Sequence, residues 1–261
     1  MTSGRADILE KILAVKRDEI AALKVMALAD APARGHRSLR AALHRSPDQP
    51  MRVLAEVKRA SPSAGPIRAD ADPVAIAREY ADAGAAAISV LTDQQFFDGD
   101  IAFLQPCHDA VDVPILRKDF LIDPLQVQEA AAHGADAVLL IVAALSSSEL
   151  EEMMAAVHEH KLEVLVEVHD MDELDTALSL SRPPTVIGVN HRDLRTFTID
   201  MTLTEQVAKR VPSNIVLVAE SGIRTADDVR RMRDAGAHAV LVGEHLMRAP
   251  SPGAALRELL A

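Results

Sequence analysis

Short apolar runs recur along the chain, each ending abruptly in charged or polar residues, and the segments between them carry apolar positions at helical spacing. The runs at 52–57, 86–91, 114–120, 136–142, 162–168, 185–190, 214–220 and 237–243 are rich in Val, Ile, Leu and Ala and bounded by turn residues, which predicts buried strands. Three of them repeat one unit of helix end, glycine turn and strand: Gly84-Ala85-Ala86-Ala87-Ile88-Ser89-Val90, Gly134-Ala135-Asp136-Ala137-Val138-Leu139-Leu140 and Gly236-Ala237-His238-Ala239-Val240-Leu241-Val242. Their glycines lie 50 and 102 residues apart by subtraction of their numbers, or two and four modules of about 25 residues. Strands alternating with helices in this way predict an α/β chain closed into a single parallel (β/α)8 TIM barrel.

The pattern differs before the first strand. Ile8, Leu9, Ile12, Leu13, Ile20 and Leu23 form a helical apolar stripe among Lys, Arg and Glu, and a stripe of that kind needs a surface to cover. The segment 27–50 is polar and contains proline, with a short helix expected at 38–43. Residues 1–50 therefore read as an N-terminal helical extension packed on a barrel formed by residues 51–261. Within the barrel, Asp72-Pro73 predicts a helix start, an N-cap followed by proline at the first helical position, and Thr225-Ala226-Asp227-Asp228 resembles a capping box.

The strand ends carry the candidate chemistry. In Pro114-Ile115-Leu116-Arg117-Lys118-Asp119-Phe120 the two-residue period puts Leu116, Lys118 and Phe120 on one face and Arg117 and Asp119 on the other, so Lys118 shares a face with a core residue. Alone, such a lysine more often snorkels out of a core edge than stands in a pocket. Other strands end in the same manner: Leu54, Glu56 and Lys58 share a face, Glu167 shares one with Leu165, Asn190 with Arg192, and strand 7 ends in Glu220-Ser221-Gly222. A barrel gathers these ends on one rim, and that much charge is costly to bury unless a ligand uses it. Ser221-Gly222 and Gly243 follow strands 7 and 8, where such barrels bind phosphate through backbone N–H groups. Lysines and an arginine beside glutamates suit an anionic substrate that undergoes acid–base steps.

Composition narrows the field. A net charge of −11 and a pI of about 5.3, without basic runs, argue against nucleic acid or a membrane surface as partner. The single Cys107 excludes a disulfide framework within the chain, no apolar run is long enough to span a bilayer, and the first residues lack a signal-peptide core, so a reducing cytoplasm is expected. No metal is expected: His158 and His160 are two apart on a helix and cannot share a face, and His169, His191 and His245 read as exposed or capping histidines. The chain lacks a G-x-G-x-x-G signature and a P-loop, so no nucleotide cofactor is expected.

Leu54-Ala55-Glu56-Val57-Lys58-Arg59-Ala60-Ser61-Pro62-Ser63, Leu116-Arg117-Lys118-Asp119-Phe120, Leu165-Val166-Glu167-Val168, Gly188-Val189-Asn190-His191-Arg192-Asp193-Leu194 and Ala219-Glu220-Ser221-Gly222-Ile223 closely resemble the indole-3-glycerol-phosphate synthase family. The resemblance covers nearly the whole chain and departs at His191, where the family often has asparagine. It implies cyclisation of 1-(2-carboxyphenylamino)-1-deoxyribulose 5-phosphate to indole-3-glycerol phosphate, with loss of carbon dioxide and water and without a cofactor. It also implies roles: Lys118 as the general acid at the ribulose carbonyl, Glu167 as the acid–base partner in the dehydration, and Lys58 in phosphate contact and proton donation. Glu56, Asn190 and Glu220 match residues that hold the hydroxyls or tune the lysines, Arg192 and Ser61 match contacts to the carboxylate region, and Phe120 is placed against the anthranilate ring. Ser221, Gly222 and Gly243 match the phosphate cradle. The extension is expected to shape the phosphate end of the site, and the protein to be a monomer or weak homo-oligomer. Two rivals stand beside this reading: another phosphate-binding barrel enzyme, expected to carry a Cys/Asp pair on its rim, and a silent barrel serving as an interaction module, expected to have lost rim charges.

Overall fold

In the computed structural model, which describes residues 8–25, 37–193 and 198–261, eight parallel strands close on themselves. They are β1 (Arg52–Val57), β2 (Ala87–Leu91), β3 (Ile115–Lys118), β4 (Ala137–Ile141), β5 (Glu163–Val168), β6 (Val186–Asn190), β7 (Val216–Glu220) and β8 (Ala239–Val242). Closure is explicit in the register, because β1 pairs with β2 through Leu54 opposite Ala87 and with β8 through Leu54 opposite Leu241. No barrel strand is left with an unpaired edge. Every strand but β1 is a little shorter than its apolar run, since flanking residues are buried without joining the ladder. Ile215, for example, is 3% exposed and precedes β7.

The two-residue period divides the core in two. Leu54, Leu116, Leu139, Leu165 and Val218 fill the barrel interior, whereas Val53, Ile115, Val138, Val166 and Leu217 face outward beneath the helices. The helices are α1 (Ile8–Leu23), α2 (Leu39–Leu43), α3 (Pro73–Asp82), α4 (Gln94–Phe97), α5 (Leu104–Ala110), α6 (Pro124–Ala132), α7 (Ser147–Glu159), α8 (Met171–Leu178), α9 (Leu203–Ala208), α10 (Ala226–Asp234), α11 (Glu244–Arg248) and α12 (Pro252–Leu260). Their starts follow local chemistry: Asp72 accepts the N–H of Val74 ahead of Pro73, and Thr225 and Asp228 form the expected capping box. A two-stranded hairpin, Ala60–Ser61 with Gly65–Pro66, stands in the loop after β1, where the sequence pattern gave no strand.

The two helices ahead of β1 occupy different places. Leu39 and Leu43 of α2 are fully buried in the inner cluster. The Ser38 hydroxyl donates to Glu163 Oε1 and the Arg40 N–H to Glu163 Oε2, both at 2.7 Å, at the first residue of β5. Arg40 and Arg45 also donate to the carbonyls of Asn214 and Ala237, just before β7 and β8. The short helix is thus a plug in the barrel floor. Helix α1 buries its apolar stripe and, with it, Lys16, which is only 1% exposed. Lys16 Nζ lies 2.8 Å from Asp93 Oδ2, 2.9 Å from Asp119 Oδ1 and 2.8 Å from Glu19 Oε2, so α1 is tied to the loops after β2 and β3. Asp119 also accepts from Thr92 at 2.6 Å and from Arg117 at 3.3 Å, and Arg117 reaches Glu129 of α6 at 2.9 Å. Burial by itself would lower the Lys16 pKa, but the charges of Asp119 and Asp93 outweigh it and hold the ammonium protonated.

Removing one member of a buried charge cluster leaves the others unpaired. Lys16→Met is therefore expected to cost about 3–5 kcal/mol, read as a lower urea midpoint at unchanged m-value. A loss below about 1 kcal/mol would show that water or neighbouring groups already satisfy Asp93 and Asp119.

Candidate active site

The carboxyl ends of the strands open into one cavity of about 470 Å³. Alternation points Glu56 (β1), Lys118 (β3), Glu167 (β5), Asn190 (β6) and Glu220 (β7) into it from five strands, and Lys58 and Arg192 follow just beyond β1 and β6. Ser61, Phe120, Ser221, Gly222 and Gly243 line the same space, so every site residue suggested by the sequence faces one cavity.

The polar groups form a connected set. Lys118 Nζ donates to Glu167 Oε2 at 3.1 Å, and Lys58 Nζ stands 2.5 Å from Glu56 Oε1. Asn190 Nδ2 donates to Glu167 Oε1 at 3.2 Å, while its Oδ1 accepts the Ser221 hydroxyl at 2.8 Å and the Arg192 N–H at 3.1 Å. Asn190 therefore joins the lysine–glutamate pair to the loop after β7. Arg192 has no carboxylate partner among the described residues, which leaves a guanidinium on the wall for an anion.

Burial and neighbouring charge set the protonation states. Burial would lower the Lys118 pKa, but Glu167, then Glu220 and Glu56, hold it above the ordinary lysine value. Burial would raise Glu167, yet Lys118 and His169 bring it well below the usual carboxylate range. Glu220 goes the other way: burial and the nearby Glu167 charge push it well above the usual carboxylate range, which favours its neutral form.

Two glycines make this packing possible. A Cβ on Gly188 of β6 would stand 2.0 Å from Glu220 Oε1, and one on Gly243 would stand 2.4 Å from Glu56 Oε1. Gly243 thus does more than the sequence suggested, since its missing side chain is the space that Glu56 fills. Gly188 was not singled out by the sequence, although a glycine inside a strand is a sign of close approach. Ser221 and Gly222 have φ of 66° and 83°, a left-handed turn that exposes the backbone to the cavity ahead of α10.

The cavity wall also holds residues to which the sequence reading gave no role, Phe97 among them. Phe97 and Phe120 meet at 6.0 Å between ring centroids, tilted by 37°, and both line the cavity. Arg224, His245 and Arg248 stand near the loops after β7 and β8, and Ile8, Leu9 and Ile12 of α1 reach over the opening. The anchor of α1 lies at the loops after β2 and β3, whereas the expected phosphate loops follow β7 and β8. Two histidines read as exposed or capping are neither. His191 is 2% exposed, with Nδ1 2.9 Å from the Ser221 carbonyl and Nε2 2.7 Å from Thr204 Oγ1. His169 lies between Glu167 and Glu173, at 3.3 and 3.1 Å. Both departures have one cause: strand-end parity aims a side chain but does not reveal the loop or helix that packs over it.

Comparison with known proteins agrees with this geometry. Solved structures of 3-hexulose-6-phosphate synthase (16% identity, TM-score 0.64, covering 80% of this chain and 98% of that one) and of thiamine phosphate pyrophosphorylase from Pyrococcus furiosus (20% identity, TM-score 0.62, covering 85% and 96%) share the fold. The family model described as indole-3-glycerol phosphate synthase matches residues 9–259. Proteins of that name from Shouchella clausii (46% identity over 254 residues, 97% of this chain and 98% of that protein) and Aromatoleum aromaticum (48% over 261 residues, 97% and 99%) align with it end to end. With a family match over almost its whole length and relatives this similar, the chain belongs to the indole-3-glycerol phosphate synthase family, carboxy-lyases of tryptophan biosynthesis.

Proposed function

We propose that the cavity cyclises 1-(2-carboxyphenylamino)-1-deoxyribulose 5-phosphate to indole-3-glycerol phosphate, releasing CO2 and water. The observation that carries this reading is the Lys118–Glu167 pair, 3.1 Å apart and joined through Asn190 to the loop after β7. The ring lies against Phe120 and Phe97, the carboxylate faces Arg192 with Ser61 nearby, and the phosphate takes the backbone N–H groups of Ser221, Gly222 and Gly243 together with Lys58. Such a pose brings ring carbon and carbonyl together, which removes much of the entropic barrier.

In the first step the ring carbon bearing the carboxylate attacks the ribulose carbonyl, and Lys118 protonates the oxygen as it becomes an alkoxide. A weak acid suffices there because a developing alkoxide is a far stronger base. The carboxylate then leaves as CO2, and the electron pair of the broken bond restores the aromatic ring. In the last step the hydroxyl leaves as water with a proton from the lysine–glutamate set, and ionised Glu167 takes up the ring proton that is lost. Glu56, Asn190 and neutral Glu220 hold the hydroxyls and keep the lysines in place. The extension of residues 1–50 serves as lid and floor to the barrel of residues 51–261. Incubation with the synthetic substrate is expected to produce indole fluorescence; substrate that binds without fluorescence gain or CO2 release refutes the reading.

Lys118→Ala is expected to lower kcat by ~10²–10⁴-fold with a smaller change in KM, because an acid engaged at the alkoxide stabilises the transition state above the ground state. Lys118→Arg should recover little, since guanidinium scarcely gives up its proton. Arg192→Ala should lose mostly in KM, its clamp being made already in the substrate complex. Near-normal kcat in Lys118→Ala would remove that residue from the chemistry.

Gly243→Ala separates the two uses of that glycine. Its Cβ, 2.4 Å from Glu56 Oε1, should displace the Glu56–Lys58 pair and weaken competitive inhibition by inorganic phosphate together with kcat. Phosphate inhibition and kcat both unchanged would show that neither use matters.

A further inference from the structure

His169 is not on the cavity wall, yet it is built into what stands behind it. It follows β5, two residues after Glu167, so both side chains leave the strand on the same side. Its Nε2 stands 3.3 Å from Glu167 Oε1, close enough for an ion pair but without an aligned hydrogen bond. Its Nδ1 stands 3.1 Å from Glu173 Oε2, and the same carboxylate oxygen accepts the His169 backbone N–H at 2.7 Å. Glu173 is in the first turn of α8, where its own N–H is capped by Asp170 at 2.8 Å. Two contacts to one residue hold the ring in a single orientation.

We propose that His169, aligned by Glu173, is a positioning residue that holds the Glu167 carboxylate between Lys118 and Asn190 and keeps it ionised for proton uptake. The inference rests on the proposed acid–base role of Glu167. The groups facing the pair come from every side: Glu173 from α8, Lys118 from β3, Asn190 from β6, and Glu220 from β7, whose carboxyl is pushed up by burial and by the Glu167 charge. Glu167 Oε2 takes the lysine, which leaves Oε1 to Asn190 and the imidazolium. A cation on that side is needed because a carboxylate 2% exposed has little water to stabilise it. Burial would lower the His169 pKa, but the adjoining carboxylates of Glu167 and Glu173 carry it up to about 10, so the ring is charged throughout the physiological range.

The test compares His169→Gln, Glu173→Gln, the double variant and Glu167→Gln, using the pH dependence of kcat. Glu173→Gln keeps an acceptor for the His169 N–H but loses the charge. Without the imidazolium the Glu167 pKa rises, so the acidic limb of kcat should move up by about one pH unit in His169→Gln, whereas Glu173→Gln, whose ring is still protonated at that pH, should lower kcat without moving the limb. The double variant should match His169→Gln rather than add the two losses, since Glu173 acts through that ring. NMR of the native His169 ring should show it doubly protonated up to about pH 10, with a lower value in Glu173→Gln. The proposal is overturned if the His169→Gln limb coincides with the native one, if the kcat losses add, or if the native ring titrates near 6.5. Glu167→Gln tells the two failures apart: an active Glu167→Gln sinks the acid–base reading itself, whereas an inactive one with unshifted His169→Gln profiles sinks only the positioning role.

Discussion

Charge buried at the barrel mouth is the constraint on which the other features depend. Glu56, Glu167 and Glu220 are each 2% exposed and converge from three strands. An ion removed from water costs several kcal/mol unless partners replace the water, so each carboxylate needs its own solution. Glu56 has Lys58; Glu167 has Lys118, Asn190 and His169; Glu220 is pushed by burial and the Glu167 charge toward its neutral form. Five strands supply these groups, and only a closed sheet holds five strand ends around one point. The glycines at 188 and 243 follow from the same demand, because a methyl group at either place would occupy the volume of a carboxylate oxygen.

The carboxyl end of β3 shows how one short strand serves both site and scaffold. Lys118 points inward to the cavity, while Arg117 and Asp119 point outward into the network that contains Lys16 of α1. Two ionic clusters of opposite purpose are therefore held one residue apart, separated by the sheet itself. The inward cluster keeps a lysine charged on the cavity wall. The outward one fastens a helix whose N-terminal residues reach over the cavity, so that helix and the cavity lysine depend on a single backbone segment.

The histidines show why the local pattern understated the site. His169 and His191 stand among polar loop residues, where an exposed ring is the ordinary outcome. Each is instead enclosed by an element that arrives later in the chain: α8 brings Glu173 to His169, and α9 brings Thr204 to His191. Lys16 is the same case, a lysine beside an apolar stripe whose buried partners lie in loops more than seventy residues further on.

The sequence by itself determined the eight strands, their parity and the rim they form, because alternation and capping act over a few residues and are written in neighbouring positions. Lys118, Glu167, Asn190 and the glycine loops were legible for that reason. The tertiary structure alone decided which charge meets which, that Glu220 is pushed up while Glu167 is pushed down, that Gly188 and Gly243 are clearances for carboxylates, and that α1 goes to the barrel mouth while α2 plugs its floor. Those outcomes depend on desolvation and on distances of about three ångströms between residues far apart in the chain, and no local pattern of hydrophobic and polar positions encodes either.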